Sequence, residues 1–193
     1  LLSNATTNLL APALIASAAR YGVDLEVIEV PFGQAMQAVF DPASELKLAP
    51  PDLALLGFDH RLIVALEDVT DEKQAEEAVS SALSEIETLR DGLRDLGCGA
   101  SLVQTLPCPP TYVTGSYDRR LPGSVHACVD RFNARLIEDL AGSEDILFDV
   151  AGLSEQVGLN AWHDDTQWHL AKLPFSLTVV PLYADHAARV LAA

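Results

Sequence analysis

The stretch DLALLGFDHR, residues 52–61, decides how the rest of the chain is interpreted. Residues 52–57 form a short, nearly continuous apolar run, and polar residues follow it directly. Such a run is typical of a strand that is covered on both faces of a parallel sheet. Residues 100–106, ASLVQTL, repeat the pattern. Together the two runs predict an α/β protein in which helices cover both faces of the sheet.

Strand-like and helix-like patterns alternate along the whole chain. The strand-like runs are residues 1–2, 25–30, 52–57, 100–106 and 145–150, and the helix-like stretches are residues 8–20, 70–96, 122–140 and 182–191. Stretch 70–96 has acidic residues in its first turn and Gly97 directly after its last, as is typical of a complete helix. The alternation predicts one domain over residues 1–193, built as a three-layer, doubly wound parallel sheet of about five strands.

The composition argues against several classes of function. The 193 residues include 12 Lys and Arg against 28 Asp and Glu, a net charge of −16 that repels a nucleic-acid backbone. No apolar run reaches the ~18 residues that a membrane span needs. Three cysteines without CxxC spacing predict neither a disulfide framework nor a zinc site. Because the chain begins with Leu1 and shows no signal-peptide pattern, we expect a cytoplasmic segment of a longer protein.

Polar side chains follow the predicted strands where these end. In a doubly wound sheet the carboxyl ends of the strands share one rim, at which ligands bind. The densest polar cluster is WHDDTQWH, residues 162–169. Each candidate also has a structural interpretation: Ser3 is a typical helix N-cap, and Trp168 is a typical packing anchor. The candidates are Ser3, Asn4, Thr6, Gly33, Gln34, Asp59, His60, His163, Asp164, Asp165, Trp168 and His169.

Several blocks resemble known families. The order LSNATT, PFGQ, GFDHR and a late Asp/His segment resembles the SGNH (GDSL-type) hydrolase fold, a flavodoxin-like architecture. More specifically, TLPCPP (residues 105–110), WHLAKLPFS (168–176) and VPLYADH (180–186) are similar to the N-terminal region of FkbH-like proteins. The resemblance covers essentially the whole chain, and it implies an SGNH-like domain over residues 1–193.

The resemblance to FkbH-like proteins also implies a function. These proteins are similar to enzymes that load a glyceryl unit from a phosphorylated glycerate onto an acyl carrier protein, during polyketide extender-unit synthesis. In that family the phosphatase-like chemistry belongs to a following haloacid-dehalogenase (HAD) domain with a DxDxT motif and magnesium. This sequence contains no DxDxT motif. We therefore expect no cofactor or metal in this domain, and we expect three partners: the acyl carrier protein, the HAD domain and a small acyl or phosphorylated glycerate ligand.

The resemblance to SGNH hydrolases implies a degenerate site. The nucleophilic serine of that family aligns with Ala5, and Asp59 stands where the family has an asparagine that binds the oxyanion. Alanine cannot attack, and a carboxylate repels an oxyanion. Gly33 does match the glycine block. One hypothesis is therefore a non-catalytic binding or docking domain without hydrolase activity.

The alternative hypothesis is an active esterase or acyltransferase. A shift of one residue in the alignment restores a nucleophile, a base and an orienting acid, as in a catalytic triad. The residues are then Ser3 or Thr6 as the nucleophile, His169 or His163 as the base, and Asp165 or Asp164 as the orienting acid.

Docking to an acidic carrier protein requires a local basic patch, because the chain itself is strongly acidic. The candidate residues for this patch are Arg119, Arg120, Arg131 and Arg135. The structural alternative is that these arginines pair with nearby acids.

Overall fold

The computed structural model describes residues 1–193, which form nine helices around a small sheet. The strands are β1 (Leu53–Leu56), β2 (Ala100–Gln104) and β3 (Ile146–Phe148). The helices are α1 (Leu10–Arg20), α2 (Ala35–Phe40), α3 (Glu45–Leu48), α4 (Glu72–Leu96), α5 (Val125–Leu140), α6 (Val150–Val157), α7 (Leu159–Trp162), α8 (Asp165–Ala171) and α9 (Val180–Leu191). Short 3₁₀ helices lie at His60–Leu62, Gly115–Arg120 and Leu177–Val179.

The sheet is parallel and has the order β1-β2-β3. Leu2 extends it on the free side of β1 through a single parallel bridge to Leu56. In this bridge the Leu2 amide donates to Leu55 O at 2.9 Å, and the Gly57 amide donates to Leu2 O at 2.8 Å. The start of the chain therefore lies beside β1 and leads directly to the carboxyl end of the sheet.

The prediction of about five strands is wrong in number, since only three of the five runs form strands. Residues 25–30 make only two backbone hydrogen bonds to their neighbour: Leu1 N donates to Ile28 O at 2.8 Å, and Val30 N donates to Leu1 O at 3.1 Å. Both of these bonds go to a single residue, Leu1, so they do not form the repeating ladder that defines a strand pair. The α/β class and the parallel sheet are confirmed, whereas an SGNH-type arrangement stays a prediction.

Helices cover both faces of the sheet, as the apolar strands predict. Successive β1 residues point to opposite faces: Ala54 and Leu56 belong to one hydrophobic cluster, and Leu55 belongs to the other. The first cluster packs the sheet against α2, α4 and α5, through residues such as Val39, Val79 and Phe132. The second packs it against α1, α6 and α9, through residues such as Leu14, Leu153 and Tyr183.

Helix α4 illustrates how the sequence sets element boundaries. Asp71 caps its start by accepting a hydrogen bond from the Gln74 amide at 3.0 Å. Gly97 ends it in the left-handed conformation, at φ 98°, which glycine adopts without steric cost. The predicted stretch 70–96 is thus confirmed to within two residues. No helix in the chain combines the length and the apolar character that crossing a membrane requires.

Candidate functional site

A cavity of about 420 Å³ lies beyond the carboxyl ends of β1 and β2, a size typical of small-molecule sites. Its walls come from four segments that are distant in sequence. The turn after β1 supplies His60 and Arg61, and the loop after β2 supplies Thr111 and Thr114. The further polar lining residues are Asp118, Ser124, His126, His163 and Asp165. The predicted rim therefore contains a cavity that several of the predicted residues share.

A buried hydrogen-bond network joins the start of the chain to this cavity. Asn4 Nδ2 donates to Asp59 Oδ1 at 3.1 Å, and the Asp59 amide donates to Asn4 Oδ1 at 3.0 Å. Asp59 is only 3% exposed. Its carboxylate also accepts from the Arg61 amide at 2.9 Å and from the Arg61 guanidinium at 2.6 Å. Asp59 therefore has the role of a buried anchor that fixes Arg61 at the cavity wall.

Arg61 is held on a second side by an aromatic ring. Its guanidinium carbon lies 3.7 Å from the centroid of the Trp168 ring, in a cation–π arrangement, and Lys172 Nζ lies 5.0 Å from the same centroid. A guanidinium carries five N–H donors in a fixed fork. With one edge on Asp59 and one face on Trp168, Arg61 is pre-oriented to present its remaining donors to an anion in the cavity.

Two histidines meet edge to face at the same wall. The rings of His60 and His163 are 5.6 Å apart, centroid to centroid, at 76°. Burial lowers the pKa of His60 to about 4, against the opposing effect of Asp59, and burial also lowers the pKa of His163. Both rings are therefore neutral at pH 7. His163 Nε2 donates to Cys108 O at 3.0 Å, whereas the buried His60 Nδ1 has no hydrogen-bond partner in the chain.

A third histidine, His126, also lines the cavity. It is 2% exposed, stacks on Tyr112 at 4.0 Å, and donates from Nε2 to Thr111 O at 3.1 Å. Its Nδ1 is then an acceptor and lies 3.1 Å from Cys108 Sγ. Burial raises the pKa of Cys108 to about 12, so this thiol stays protonated and unreactive at neutral pH.

Ser3 is occupied by the backbone. The side chain is 2% exposed; its hydroxyl donates to Gly57 O at 2.6 Å and accepts from the Ala5 amide at 3.0 Å. No histidine lies within hydrogen-bond distance of Ser3 among the contacts of this chain. Ala5, the residue predicted at the nucleophile position, is itself 1% exposed. The structure thus does not assemble a Ser3–histidine pair, whereas the alternative hypothesis also allows Thr6 as the nucleophile.

The other predicted candidates fall at different places. The Thr6 amide donates to Lys172 O at 2.8 Å, and Asp164 caps α8 by accepting from the Gln167 amide at 3.0 Å. Asp165 lines the cavity, but the exposed His169 lies in the last turn of α8 and does not line it. Gly33 and Gln34 form an exposed turn before α2, with Gly33 at φ 70°, and neither of them lines the cavity.

The predicted docking arginines mostly pair with acids. Arg131 and Arg135 both approach Glu76 of α4, at 3.6 and 2.6 Å. Arg119 pairs with Asp130 at 3.2 Å on the exposed surface. Arg120 has no acidic partner, and its guanidinium lies 5.9 Å from the Tyr117 ring. Only the Arg119–Arg120 end of the predicted patch therefore offers exposed positive charge.

Sequence reasoning missed three features of this site. It placed Arg61 in the block GFDHR but did not count it among the site residues, although it follows Asp59 and His60 directly. It also missed His126, which no motif marks. The turn-forming Asp118 accepts from the amides of Val113 and Thr114 at 2.7 and 2.8 Å and so shapes the outer wall. No group of three or more His, Cys, Asp or Glu side chains is arranged to hold a metal ion.

Chemically, the arrangement suits binding of a small polar anion. Arg61 supplies positive charge and Thr111 a hydroxyl, whereas the hydroxyls of Thr114 and Ser124 already donate to Asp118. Two acids also border the cavity: the buried Asp118, and the exposed Asp165, which lies close enough to His60 and His163 to act on their charge, as Arg61 does. The observed contacts include no serine or threonine hydroxyl that donates to a histidine, the contact that would activate it as a nucleophile.

Comparison with known proteins supplies the family context. Residues 1–192 match the protein family described as "FkbH, N-terminal domain". No curated protein matches the chain.

A solved structure is also similar: the N-terminal part of the protein BF1531 from Bacteroides fragilis, described as containing a phosphatase domain complexed with Mg. The TM-score is 0.83 at 20% sequence identity, over 99% of this chain and 50% of that chain. At this identity the similarity shows a shared fold, and the chain spans half the length of that structure.

Proposed function

Because the chain belongs to the family of FkbH N-terminal domains, we propose that it is a non-catalytic binding and docking domain of an FkbH-like protein. Its proposed role is in loading a glyceryl unit from a phosphorylated glycerate onto an acyl carrier protein, for polyketide extender units. The glyceryl chemistry is assigned to a following HAD domain that uses magnesium, and this domain contributes binding. The proposed partners are therefore that HAD domain and the carrier protein.

The observation that carries the proposal is the environment of Ser3 and Ala5. A serine becomes nucleophilic when a neighbouring base accepts its hydroxyl proton. The Ser3 hydroxyl instead donates to the Gly57 carbonyl, and the adjacent Ala5 has no nucleophile to offer. Asp59 is committed to Asn4 and Arg61, so its carboxylate anchors the wall rather than serving a reaction. These contacts support a pocket that holds a ligand without cleaving it.

The proposed ligand is the phosphorylated glycerate or the acyl group derived from it. Arg61 is oriented by Asp59 and Trp168 and has free donors for a carboxylate or phosphate. His60 lines the cavity next to Arg61, although its unpartnered Nδ1 is itself buried. A cavity of about 420 Å³ is large enough for a three-carbon acid with one phosphate.

For the carrier protein, we propose docking next to Arg119 and Arg120. The side chain of Arg119 is 62% exposed, and its partner Asp130 is 56% exposed, so an incoming acidic surface can compete for it. Arg135 is less suited to this role because both oxygens of Glu76 already accept from its guanidinium, and Arg131 is less suited because its side chain is only 25% exposed. The loop of residues 109–118 lines the cavity and directly precedes Arg119 and Arg120 in sequence. A carrier protein docked at these arginines would therefore lie next to this loop.

Isothermal titration calorimetry with 3-phosphoglycerate tests the binding role. We expect the unaltered chain to bind, and Arg61→Ala to weaken binding at least tenfold, about 1.4 kcal/mol, through loss of a charge-assisted contact. Arg20→Ala is the matched control, because Arg20 pairs with Asp185 on the exposed surface away from the cavity. Absence of binding by the unaltered chain, or equal binding by Arg61→Ala, would contradict the proposal.

Hydrolysis of p-nitrophenyl acetate separates binding from catalysis. We expect the unaltered chain to show the same background rate as Ser3→Ala, Thr6→Ala and His163→Ala. A rate well above background that is lost in Ser3→Ala or Thr6→Ala, with binding of 3-phosphoglycerate retained, would establish the esterase or acyltransferase alternative instead.

A further inference from the structure

Lys172, directly after α8, is the one residue other than glycine with a positive φ, at 55°. In this left-handed region Cβ crowds the backbone, so helices usually end there on glycine and sometimes on asparagine. Lysine at such a position is strained, and strained residues of this kind are concentrated at binding sites. The end of α8 therefore raises the question of what the lysine side chain does.

Backbone hydrogen bonds hold Lys172 in this conformation. Its amide donates to Trp168 O at 2.8 Å, which ends α8, and its carbonyl accepts from the Thr6 amide at 2.8 Å. Thr6 lies in the same loop as Asn4, which is hydrogen-bonded to Asp59. The end of α8 is thus tied to the loop that also anchors Asp59. None of these bonds uses the lysine side chain, so they explain the conformation but do not require a cation.

The Lys172 side chain lies beside the Arg61 end of the cavity. Its Nζ is 5.0 Å from the centroid of the Trp168 ring, and the Arg61 guanidinium carbon is 3.7 Å from the same centroid. The two cations are therefore separated by no more than the sum of these distances. Arg61 lines the cavity and Lys172 does not. Because a lysine ammonium sits on a flexible four-carbon stem, Lys172 can reach an anion that Arg61 holds.

No acid of the chain neutralises Lys172. Of the 12 Lys and Arg, only Lys47, Arg120 and Lys172 form no salt bridge. Lys47 and Arg120 are exposed and fully hydrated, whereas Lys172 is half-buried. A half-buried ammonium has lost part of its hydration, and an aromatic ring replaces only part of that loss. The anion of a ligand would supply the partner that Lys172 lacks.

We propose that Lys172 and Arg61 form a two-cation site for a small molecule with two anionic groups, in which Lys172 holds the phosphate. The proposal rests on the proposed function and specifies the orientation of its ligand. The planar fork of Arg61 matches a planar carboxylate, and the compact ammonium of Lys172 serves as a point charge for a phosphate. The carboxylate then lies inside the cavity, and the phosphate lies toward the end of α8. Glycine would end α8 equally well but would leave the ligand with one cation.

Lys172→Gly separates this binding role from a structural one. Glycine suits the left-handed conformation, so we expect the melting temperature to change by less than about 3 °C. In isothermal titration calorimetry we expect Lys172→Gly to bind 3-phosphoglycerate roughly fivefold or more weakly than the unaltered chain. Lys172→Arg keeps a cation and should retain most of the affinity. Lys47→Ala removes an equally unpaired charge at an exposed position and is the matched control.

D-glycerate, which has the carboxylate but no phosphate, tests the orientation of the ligand. We expect Lys172→Gly to change its affinity by less than about twofold, because this ligand has no group for Lys172. Arg61→Ala should weaken binding of both D-glycerate and 3-phosphoglycerate. NMR titration measures the two ligands on one scale, because it also detects weak binding.

The outcomes distinguish this proposal from the proposed function. No binding of 3-phosphoglycerate by the unaltered chain would overturn both. Weaker binding by Arg61→Ala together with unchanged binding by Lys172→Gly would overturn the two-cation site alone. Equal weakening of both ligands in Lys172→Gly would overturn the assignment of the phosphate to Lys172. If the glycine variant is unstable, Lys172→Asn provides the same comparison, since asparagine also tolerates the left-handed region.

Discussion

At the scale of single residues, Asp59 and Arg61 show how a short motif is used. Asp59 is buried, and its carboxylate accepts hydrogen bonds from Asn4, from the Arg61 amide and from the Arg61 guanidinium. Breaking such a buried pair by removing one partner leaves an uncompensated charge, which is costly. Asp59 therefore acts on the cavity through Arg61, because it fixes the orientation of the Arg61 guanidinium.

His60 makes the stability of the chain depend on pH. Its pKa is about 4 in the folded state, lowered mainly by burial, against about 6.5 in an unfolded chain. Between these values the unfolded state binds a proton that the folded state does not, so the free energy of unfolding falls as the pH is lowered from about 6.5 to about 4. We expect His60→Gln to reduce this fall by roughly 1–2 kcal/mol, after allowance for partial solvent exposure.

Urea unfolding at a series of pH values measures the effect of His60. The Leu1 amine titrates in both chains and cancels in the comparison. His169→Gln, at an exposed position outside the cavity, is the matched control for replacing a histidine by glutamine. An equally steep acid limb in His60→Gln would show that other groups cause the loss of stability.

At the scale of elements, helices α2 and α4 touch at a glycine. A Cβ added to Gly92 of α4 would lie 2.5 Å from Val39 Cγ1 and 2.7 Å from Phe40 Cζ, both closer than carbon atoms approach one another. We expect Gly92→Ala to lower the free energy of unfolding by about 1–2 kcal/mol, because the overlap with α2 exceeds the gain of about 1 kcal/mol in helix propensity.

The matched control for this change is Ser81→Ala, at an exposed position of the same helix. Ser81→Ala changes the helix propensity without changing the packing, so the free energy of unfolding should stay the same or rise slightly. Denaturant unfolding monitored by circular dichroism compares the two. A Gly92→Ala chain that is as stable as the unaltered one would mean that α2 can move away from α4 without cost.

Elements also show what the sequence can and cannot predict. The end of α4 at Gly97 follows from local chemistry, and it was predictable. The state of residues 25–30 depends on the strand beside them, so their own apolar character could not settle it. The pairing of Arg131 and Arg135 with Glu76 links positions 55 or more residues apart, and nothing local to the arginines indicates it. Similarly, no signal near Cys108 points to His126.

At the scale of the whole molecule, the net charge of −16 opposes compactness. Arg20, Arg90, Arg94, Arg119, Arg135 and Arg189 are among the cations that already have acidic partners, so most of the 28 acids face other acids or solvent. Screening by salt weakens repulsion between exposed charges over distances longer than about 10 Å at 0.1 M. Added salt should therefore raise the free energy of unfolding, because it reduces the repulsion between acids more than it weakens the ion pairs.

We expect the melting temperature to rise by about 3–6 °C, roughly 1–2 kcal/mol, when NaCl is raised from about 0.02 to 0.5 M. Differential scanning calorimetry measures it, with sucrose of equal osmolality as the control for effects that do not involve charge. A melting temperature that falls with NaCl would show that buried pairs, such as Arg90 with Asp145, outweigh the repulsion.

The two tryptophans of the chain stand in opposite situations. Trp162 is sealed in the core with 0% exposure, against Phe175, whereas Trp168 lies under the Arg61 guanidinium at 3.7 Å. The emission of an indole responds to a nearby cation and to its withdrawal. The domain therefore contains its own optical reporter: Trp162 gives a constant background, and Trp168 gives a signal that changes whenever Arg61 turns toward a ligand.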